Sequence, residues 1–147
     1  MLYYWTMAQL DARHNKFNIN GMAKNPRSIA IVDDDPSVLK ALARLLATRS
    51  FAIKTYLSAP QFLASLPEGL PDCLIADLQM PEMTGMELQL NLARRGVPIP
   101  TIIITAHDEA GMRERCKSAG AVAYLSKPVS DTALFAAIES AVKRPDG

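Results

Sequence analysis

The stretch Ile29–Pro36 constrains this chain more tightly than any other. Ile29-Ala30-Ile31-Val32 runs without a break into Asp33-Asp34-Asp35 and then Pro36. The apolar part is short and β-branched-rich, as required of a strand covered on both faces in a parallel sheet. Proline suits the first turn of a following helix, where its missing N–H costs nothing. The strand-to-helix loop therefore carries three negative charges where nucleotide-binding α/β proteins carry glycines. Glycines admit a phosphate to backbone N–H groups; clustered carboxylates repel phosphate and one another unless a hard cation lies between them. The pattern points to a magnesium site at the end of the first strand.

A chain of 147 residues that is 49% hydrophobic is large enough for one domain with a real core and a short extension. Sixteen basic against fifteen acidic residues leave a formal charge of +1, with no strong pull toward nucleic acid or anionic membrane. Cys73 and Cys116 form no ligand cluster, and Cys73 lies in an apolar run that reads as a buried, reduced thiol. No apolar stretch reaches the ~20 residues of a membrane span, and the start lacks the basic region of a secretory signal. The expected location is cytoplasmic. Residues 1–25 read as an N-terminal extension, flexible or produced by a non-native start ahead of Met22. Tyr3, Tyr4, Trp5 and Phe17 set it apart in composition. Residues 26–147 form the domain.

Along that domain, Val38, Leu39, Leu42, Leu45 and Leu46 recur at helical spacing and predict a helix from about Pro36 to Thr48, capped by Asp34 or Asp35. Phe51–Tyr56 has strand composition. Ser58-Ala59-Pro60-Gln61 reads as a capping box opening a short helix through Leu66. Cys73–Ala76 is a third buried strand ended by Asp77, and Pro81 keeps Leu78–Met83 in a loop. Thr84-Gly85-Met86-Glu87 gives a second capping box for a helix to about Arg95, stopped by Gly96. Thr101–Thr105 is the strongest strand signal. Asp108 is expected to cap the next helix, which ends at Gly120 and offers only Met112, Cys116 and Ala119 as an apolar face. It should be the least firmly anchored helix. Ala121–Leu125 is the fifth strand, and the last helix runs from about Ser130 to Lys143, with Leu134, Ile138, Ala141 and Val142 inward.

Five strands alternating with five helices imply an α/β fold: a parallel sheet, right-handed crossovers, and helices on both faces. Ligands of such sheets sit at the carboxyl ends of the strands. That rule selects Asp33 and Asp34 after strand one, Asp77 after strand three, Thr105 after strand four and Lys127 after strand five. Taken singly, each has a plainer explanation: helix caps for the aspartates after strand one, a turn residue for Asp77, a strand end for Thr105, an exposed loop lysine for Lys127. Their joint arrival at one edge argues for a site. With Mg²⁺, Asp34 and Asp77 can each supply a ligand oxygen and Asp33 can hold metal-bound water. Lys127 can pair with one phosphoryl oxygen and the Thr105 hydroxyl with another, while Asp77 can act as a carboxylate nucleophile. His14 and His107 have no such company and read as surface or locally hydrogen-bonded groups.

The segments Val32-Asp33-Asp34-Asp35, Asp77 to Gly85, Ile103-Ile104-Thr105-Ala106 and Tyr124-Leu125-Ser126-Lys127-Pro128 together resemble the receiver domain of bacterial two-component response regulators, of the FixJ- and CheY-like kind. The resemblance covers about Arg27 to Lys143. It implies a flavodoxin-like (βα)5 doubly wound sheet with strand order 2-1-3-4-5. It further implies Asp77 as phosphoacceptor, Asp33 and Asp34 as the acidic Mg²⁺ pocket, the Gln79 backbone carbonyl as a further metal ligand, and Thr105 and Lys127 as phosphoryl contacts. Ala106 would leave room for the phosphoryl group, and the Lys127-Pro128 bond would be cis. Tyr124 matches the switch aromatic, which turns inward when Thr105 moves toward the phosphate. The surface from about Asp108 to Lys143 (fourth helix, fifth strand, fifth helix) then changes its partner preference.

A signalling domain of this kind acts on itself, catalysing its own phosphorylation and slow dephosphorylation. The implied donor is a sensor histidine kinase or a histidine phosphotransferase. The implied output is an unidentified downstream target or a homodimer through the same surface. Gln79 and His107, two residues after Asp77 and Thr105, flank the water approach and in this family tune how long the acyl phosphate lasts. A haloacid dehalogenase-type phosphatase also places a nucleophilic Asp after a strand, but it needs a second Asp two residues on, where this chain has Gln79. The chain is expected to be a stand-alone receiver or the regulatory half of a longer DNA-binding transcription factor. With no helix-turn-helix segment and no basic stripe, it is not expected to bind DNA itself, nor a membrane.

Overall fold

The computed structural model describes residues 26–143. Within them, β1 (Ser28–Val32), β2 (Ala52–Tyr56), β3 (Cys73–Asp77), β4 (Thr101–Thr105) and β5 (Ala123–Ser126) alternate with α1 (Pro36–Ala47), α2 (Ala59–Ser65), α3 (Gly85–Arg94), α4 (Met112–Ser118) and α5 (Asp131–Val142). All pairings are parallel and the order is β2-β1-β3-β4-β5. The expectations for residues 1–25, including His14, the aromatic residues and Met22, lie outside the described residues.

The sheet separates two apolar layers, because successive strand side chains point to opposite faces. Ile29 and Ile31 of β1 join Ile75, Ile102 and Ile104 under Leu39, Leu42 and Leu46 of α1 and Leu134 and Ile138 of α5. Ala30 and Val32 join Leu74, Ala76 and Ile103 under Phe62 of α2, Leu88 and Leu92 of α3 and Cys116 of α4. Burial on both faces is why β1, β3 and β4 read as unbroken apolar runs. β2 lies at the sheet edge, and Ala52, Lys54 and Thr55 are exposed there. Cys73 is fully buried; burial first, then Asp72, pushes its thiol pKa up to about 12, so it stays a protonated core residue. Among the described residues no helix is long and apolar enough to cross a membrane.

Local signals account for most element starts. Asp35 caps α1, its carboxylate accepting from the Ser37 N–H at 2.9 Å. Thr84 and Glu87 form the full reciprocal box at α3, and Ser130 caps α5. At α2 only half of the expected box forms. Ser58 accepts from the Gln61 N–H, but the Gln61 side chain accepts from the Leu57 N–H, one residue upstream of the cap.

Two expected starts are corrected. Asp108 does not cap α4: the cap is Gly111 at φ +82°, after a turn in which the Met112 N–H donates to the Glu109 carbonyl. A left-handed glycine cannot be a helix interior residue, so the helix begins only beyond it. β5 starts at Ala123 rather than Ala121. Gly120 has φ +110°, and the Ala121 N–H returns to the Cys116 carbonyl at 3.0 Å, so Ala121 belongs to the closure of α4.

Candidate functional site

Strand register brings the selected residues to one edge. Val32 of β1 lies opposite Ala76 of β3, and Asp77 lies opposite Ile104 of β4. Thr105 lies opposite Ser126 of β5, and the Lys127 N–H donates to the Thr105 carbonyl at 2.7 Å. The three carboxylates of Asp33, Asp34 and Asp77 each offer an oxygen within 4.8 Å of the others. Asp33 and Thr105 are fully buried, Asp77 is 5% exposed, and Asp34 faces solvent. The Lys127 ammonium reaches into the cluster, 3.0 Å from Asp33 Oδ2 and 3.3 Å from Asp77 Oδ1. The Lys127–Pro128 bond is cis, as the family resemblance implied.

The electrostatics follow from crowding charges at a buried edge. Burial, and then the Asp33 carboxylate, hold the Asp77 pKa above its ordinary value; Lys127 and a hydrogen bond from the Gln79 N–H oppose this without cancelling it. Burial works against the Lys127 ammonium, but its hydrogen bond to Asp33 and the charges of Asp77 and Asp33 outweigh it and raise its pKa. Three carboxylates against one ammonium leave an excess of negative charge. An oxygen-only donor set of this kind, open to solvent on the Asp34 side, fits a hard divalent cation that keeps part of its water shell. Asp33 is also held structurally, its Oδ1 accepting from the Asp35 N–H at 2.9 Å. The division of labour in the triple aspartate is thus visible: Asp35 caps, while Asp33 and Asp34 turn toward Asp77.

The surrounding loops hold contacts the sequence did not indicate. The side chains of Gln79 and His107, both exposed, meet at 2.9 Å and link the loop after β3 to the loop after β4. The Thr105 hydroxyl donates to the His107 carbonyl at 3.0 Å and accepts from the His107 N–H at 3.1 Å. Tyr124 points inward, 2% exposed, and its hydroxyl makes no hydrogen bond. Burial first, then the nearby carboxylate of Asp108, which does not reach hydrogen-bond geometry, push the phenol pKa up to about 12. Gly85 was legible only as part of a capping box. A Cβ there would come within 2.5 Å of the Asp77 carbonyl oxygen, so glycine lets α3 begin directly against the strand end that carries Asp77. The signal was present, a glycine in the first turn of a helix, but its partner was eight positions back across a loop.

The sequence model of the response regulator receiver domain matches residues 29–139. The transcriptional regulatory protein FixJ of Rhizobium meliloti (strain 1021) is 42% identical over 114 residues, which are 78% of this chain and 56% of that protein. The response regulator protein TmoT of Ectopseudomonas mendocina is 39% identical over 115 residues, 78% of this chain and 52% of that protein. The chain therefore spans about half the length of the curated relatives it matches. Among solved structures, the crystal structure of FixJ-N superposes with a TM-score of 0.75 at 40% identity, covering 82% of this chain and 96% of that one. A response regulator receiver protein from Burkholderia phymatum gives 0.69 at 43% identity, covering 79% and 94%.

Proposed function

This chain belongs to the response regulator receiver domain family, and from that premise we propose that it is a phosphoacceptor switch in which Asp77 receives a phosphoryl group in the presence of Mg²⁺. The observation that carries the reading is the convergence of Asp33, Asp34, Asp77 and Lys127 at the carboxyl edge of the sheet. Asp33, Asp34, Asp77 and the Gln79 backbone carbonyl would hold the cation. When bound, Mg²⁺ neutralises carboxylate charge and draws phosphoryl oxygens to the cluster.

The chain's own residues supply the rest. An oxygen of the Asp77 carboxylate attacks phosphorus, the bond from phosphorus to the donor breaks, and an acyl phosphate remains on Asp77 while the leaving group takes up a proton from solvent. Lys127, already 3.3 Å from Asp77 Oδ1, needs little movement to pair with a phosphoryl oxygen. The Thr105 hydroxyl has one proton, now donated to the His107 carbonyl. To bond the phosphoryl group it must give up that partner, which removes one of the ties on the loop leading into α4, the others being the His107 N–H on the Thr105 oxygen and the His107–Gln79 contact. A response of the α4-β5-α5 surface follows from this exchange; because the Tyr124 ring is already inward while Thr105 is bonded to His107, phosphorylation would hold that orientation rather than create it.

The donor would be a sensor histidine kinase or a histidine phosphotransferase, and a homodimer through α4-β5-α5 is one output. The unit would comprise residues 26–147, with 1–25 as an extension. The shared length of about half of FixJ and TmoT favours a receiver acting as the regulatory part of a longer transcription factor over a stand-alone one. The test is incubation with acetyl phosphate and Mg²⁺ followed by intact-mass spectrometry. The wild-type chain gains the mass of one phosphoryl group and Asp77→Asn does not. Labelling of the variant at equal stoichiometry overturns the assignment.

A further inference from the structure

Arg113 grips Tyr124 in two ways. Its guanidinium carbon lies 4.9 Å from the ring centroid, and Nη1 donates to the Tyr124 backbone carbonyl at 3.1 Å. Arg113 is exposed while Tyr124 is almost fully buried, so the guanidinium covers the outward side of the ring. One side chain of α4 thereby holds both the ring and the backbone of one residue of β5.

The rest of α4 has few other ties. The helix is seven residues long, starts at Gly111 with no side-chain cap, and buries only Cys116, with Met112 packed partly against the same core. At the other end of the contact the Tyr124 hydroxyl is buried without a hydrogen bond. The Asp108 carboxylate lies near the phenol tip without hydrogen-bond geometry, so the inward position rests mainly on core packing and on the guanidinium over the ring face.

We propose that Arg113 is a positioning residue of the switch, a latch that makes the inward orientation of Tyr124 and the docking of α4 on β5 a single event. If the ring swings outward it must displace the guanidinium that covers it, and the helix carrying Arg113 is loosened with it. If Arg113 leaves, the ring loses its cover and the inward orientation loses population. The latch biases the switch toward the inward state and rests on Tyr124 being the aromatic that responds to phosphorylation at Asp77. Its coupling to α4 is measurable without any phosphoryl group.

The experiment is a double-mutant cycle of Arg113→Ala and Tyr124→Leu in the whole chain. It is read by hydrogen exchange of residues 112–118 and by the NMR shifts of the Tyr124 ring where the ring is present. Loss of one cation–π contact and one hydrogen bond should speed α4 exchange by roughly tenfold in Arg113→Ala and shift the ring signals. Arg113→Lys, which keeps a cation but not the planar fork, should recover part of the protection. In the Tyr124→Leu background Arg113→Ala loses only the hydrogen bond to the backbone carbonyl of residue 124, so it should speed exchange clearly less than in the wild-type background. Fully additive effects, or unchanged exchange in Arg113→Ala, overturn the latch. Failure of the wild-type chain to label at Asp77 would overturn the phosphoacceptor reading and leave the cycle interpretable on its own.

Discussion

Replacing Gly85 by Ala tests whether the start of α3 sets the position of Asp77. A Cβ at Gly85 would stand 2.5 Å from the Asp77 carbonyl oxygen, 3.1 Å from its carbonyl carbon and 3.2 Å from the Leu78 Cα. All three are backbone atoms, so no side chain can rotate away. The segment is also pinned: the Gly85 N–H donates to the Leu78 carbonyl at 2.9 Å and the Leu78 N–H to the Ile104 carbonyl at 2.8 Å. Relief to an ordinary contact near 3.5 Å requires a backbone shift of about 1 Å. Overpacking of this kind costs about 1–3 kcal/mol. The intrinsic preference of a helix for Ala over Gly returns roughly 0.5–1 kcal/mol. The net loss, roughly 0–2.5 kcal/mol and centred near 1 kcal/mol, should lower Tm by about 4 °C at that centre for a domain of this size. Thermal unfolding followed by circular dichroism in EDTA reads the first effect. Repeating it in Mg²⁺, with acetyl-phosphate labelling beside it, reads the second: a displaced Asp77 should stabilise less with Mg²⁺ and label more slowly. A Gly85→Ala chain as stable as wild type, labelling at the same rate, would refute the close approach.

Other substitutions address separate parts of the site. The raised Asp77 pKa means that the folded state binds its proton more tightly than the unfolded state. The ionised carboxylate is therefore a burden that is full above the folded pKa and vanishes below the unfolded value near 4. Metal-free Asp77→Asn should accordingly be more stable than wild type at pH 7, with the gap closing as the pH falls toward 4; a gap that does not change over that range contradicts the cause given. Asp34→Ala should weaken Mg²⁺-linked stabilisation, and a tenfold weaker Kd removes about 1.4 kcal/mol at saturating metal, measurable as a smaller Tm shift on adding MgCl₂. Tyr124→Phe removes a buried hydroxyl that has no hydrogen bond, a group whose desolvation costs about 1–3 kcal/mol. The variant should unfold at the same or a higher temperature, and a drop of several degrees would show that the hydroxyl has a partner.

The order of elements and the residues of the acidic edge were legible because each rests on a local rule. Buried parallel strands are continuous apolar runs, so β1, β3 and β4 declared themselves, and parallel topology then put Asp33, Asp34, Asp77, Thr105 and Lys127 at one end of the sheet. Caps reach only two or three residues along the chain, so Asp35, Ser58 and Thr84 were readable as well. The start of α4 was misread because Asp108 is a good cap by type, and only the backbone shows Gly111 in the left-handed region.

What the linear order of residues determined is therefore the sheet, its two-sided core and the list of groups at its carboxyl edge. Tertiary structure alone decided how those groups are held. Gln79 meets His107 across 28 positions, Lys127 meets Asp33 across 94, and Arg113 covers Tyr124 from a different element. Gly85 matters because of a backbone oxygen it meets across a loop. Periodicity and capping act within a turn or two of the chain, whereas these contacts depend on where separate loops and helices are carried by the packed sheet. Side-chain type can nominate such partners, but only the three-dimensional arrangement pairs them.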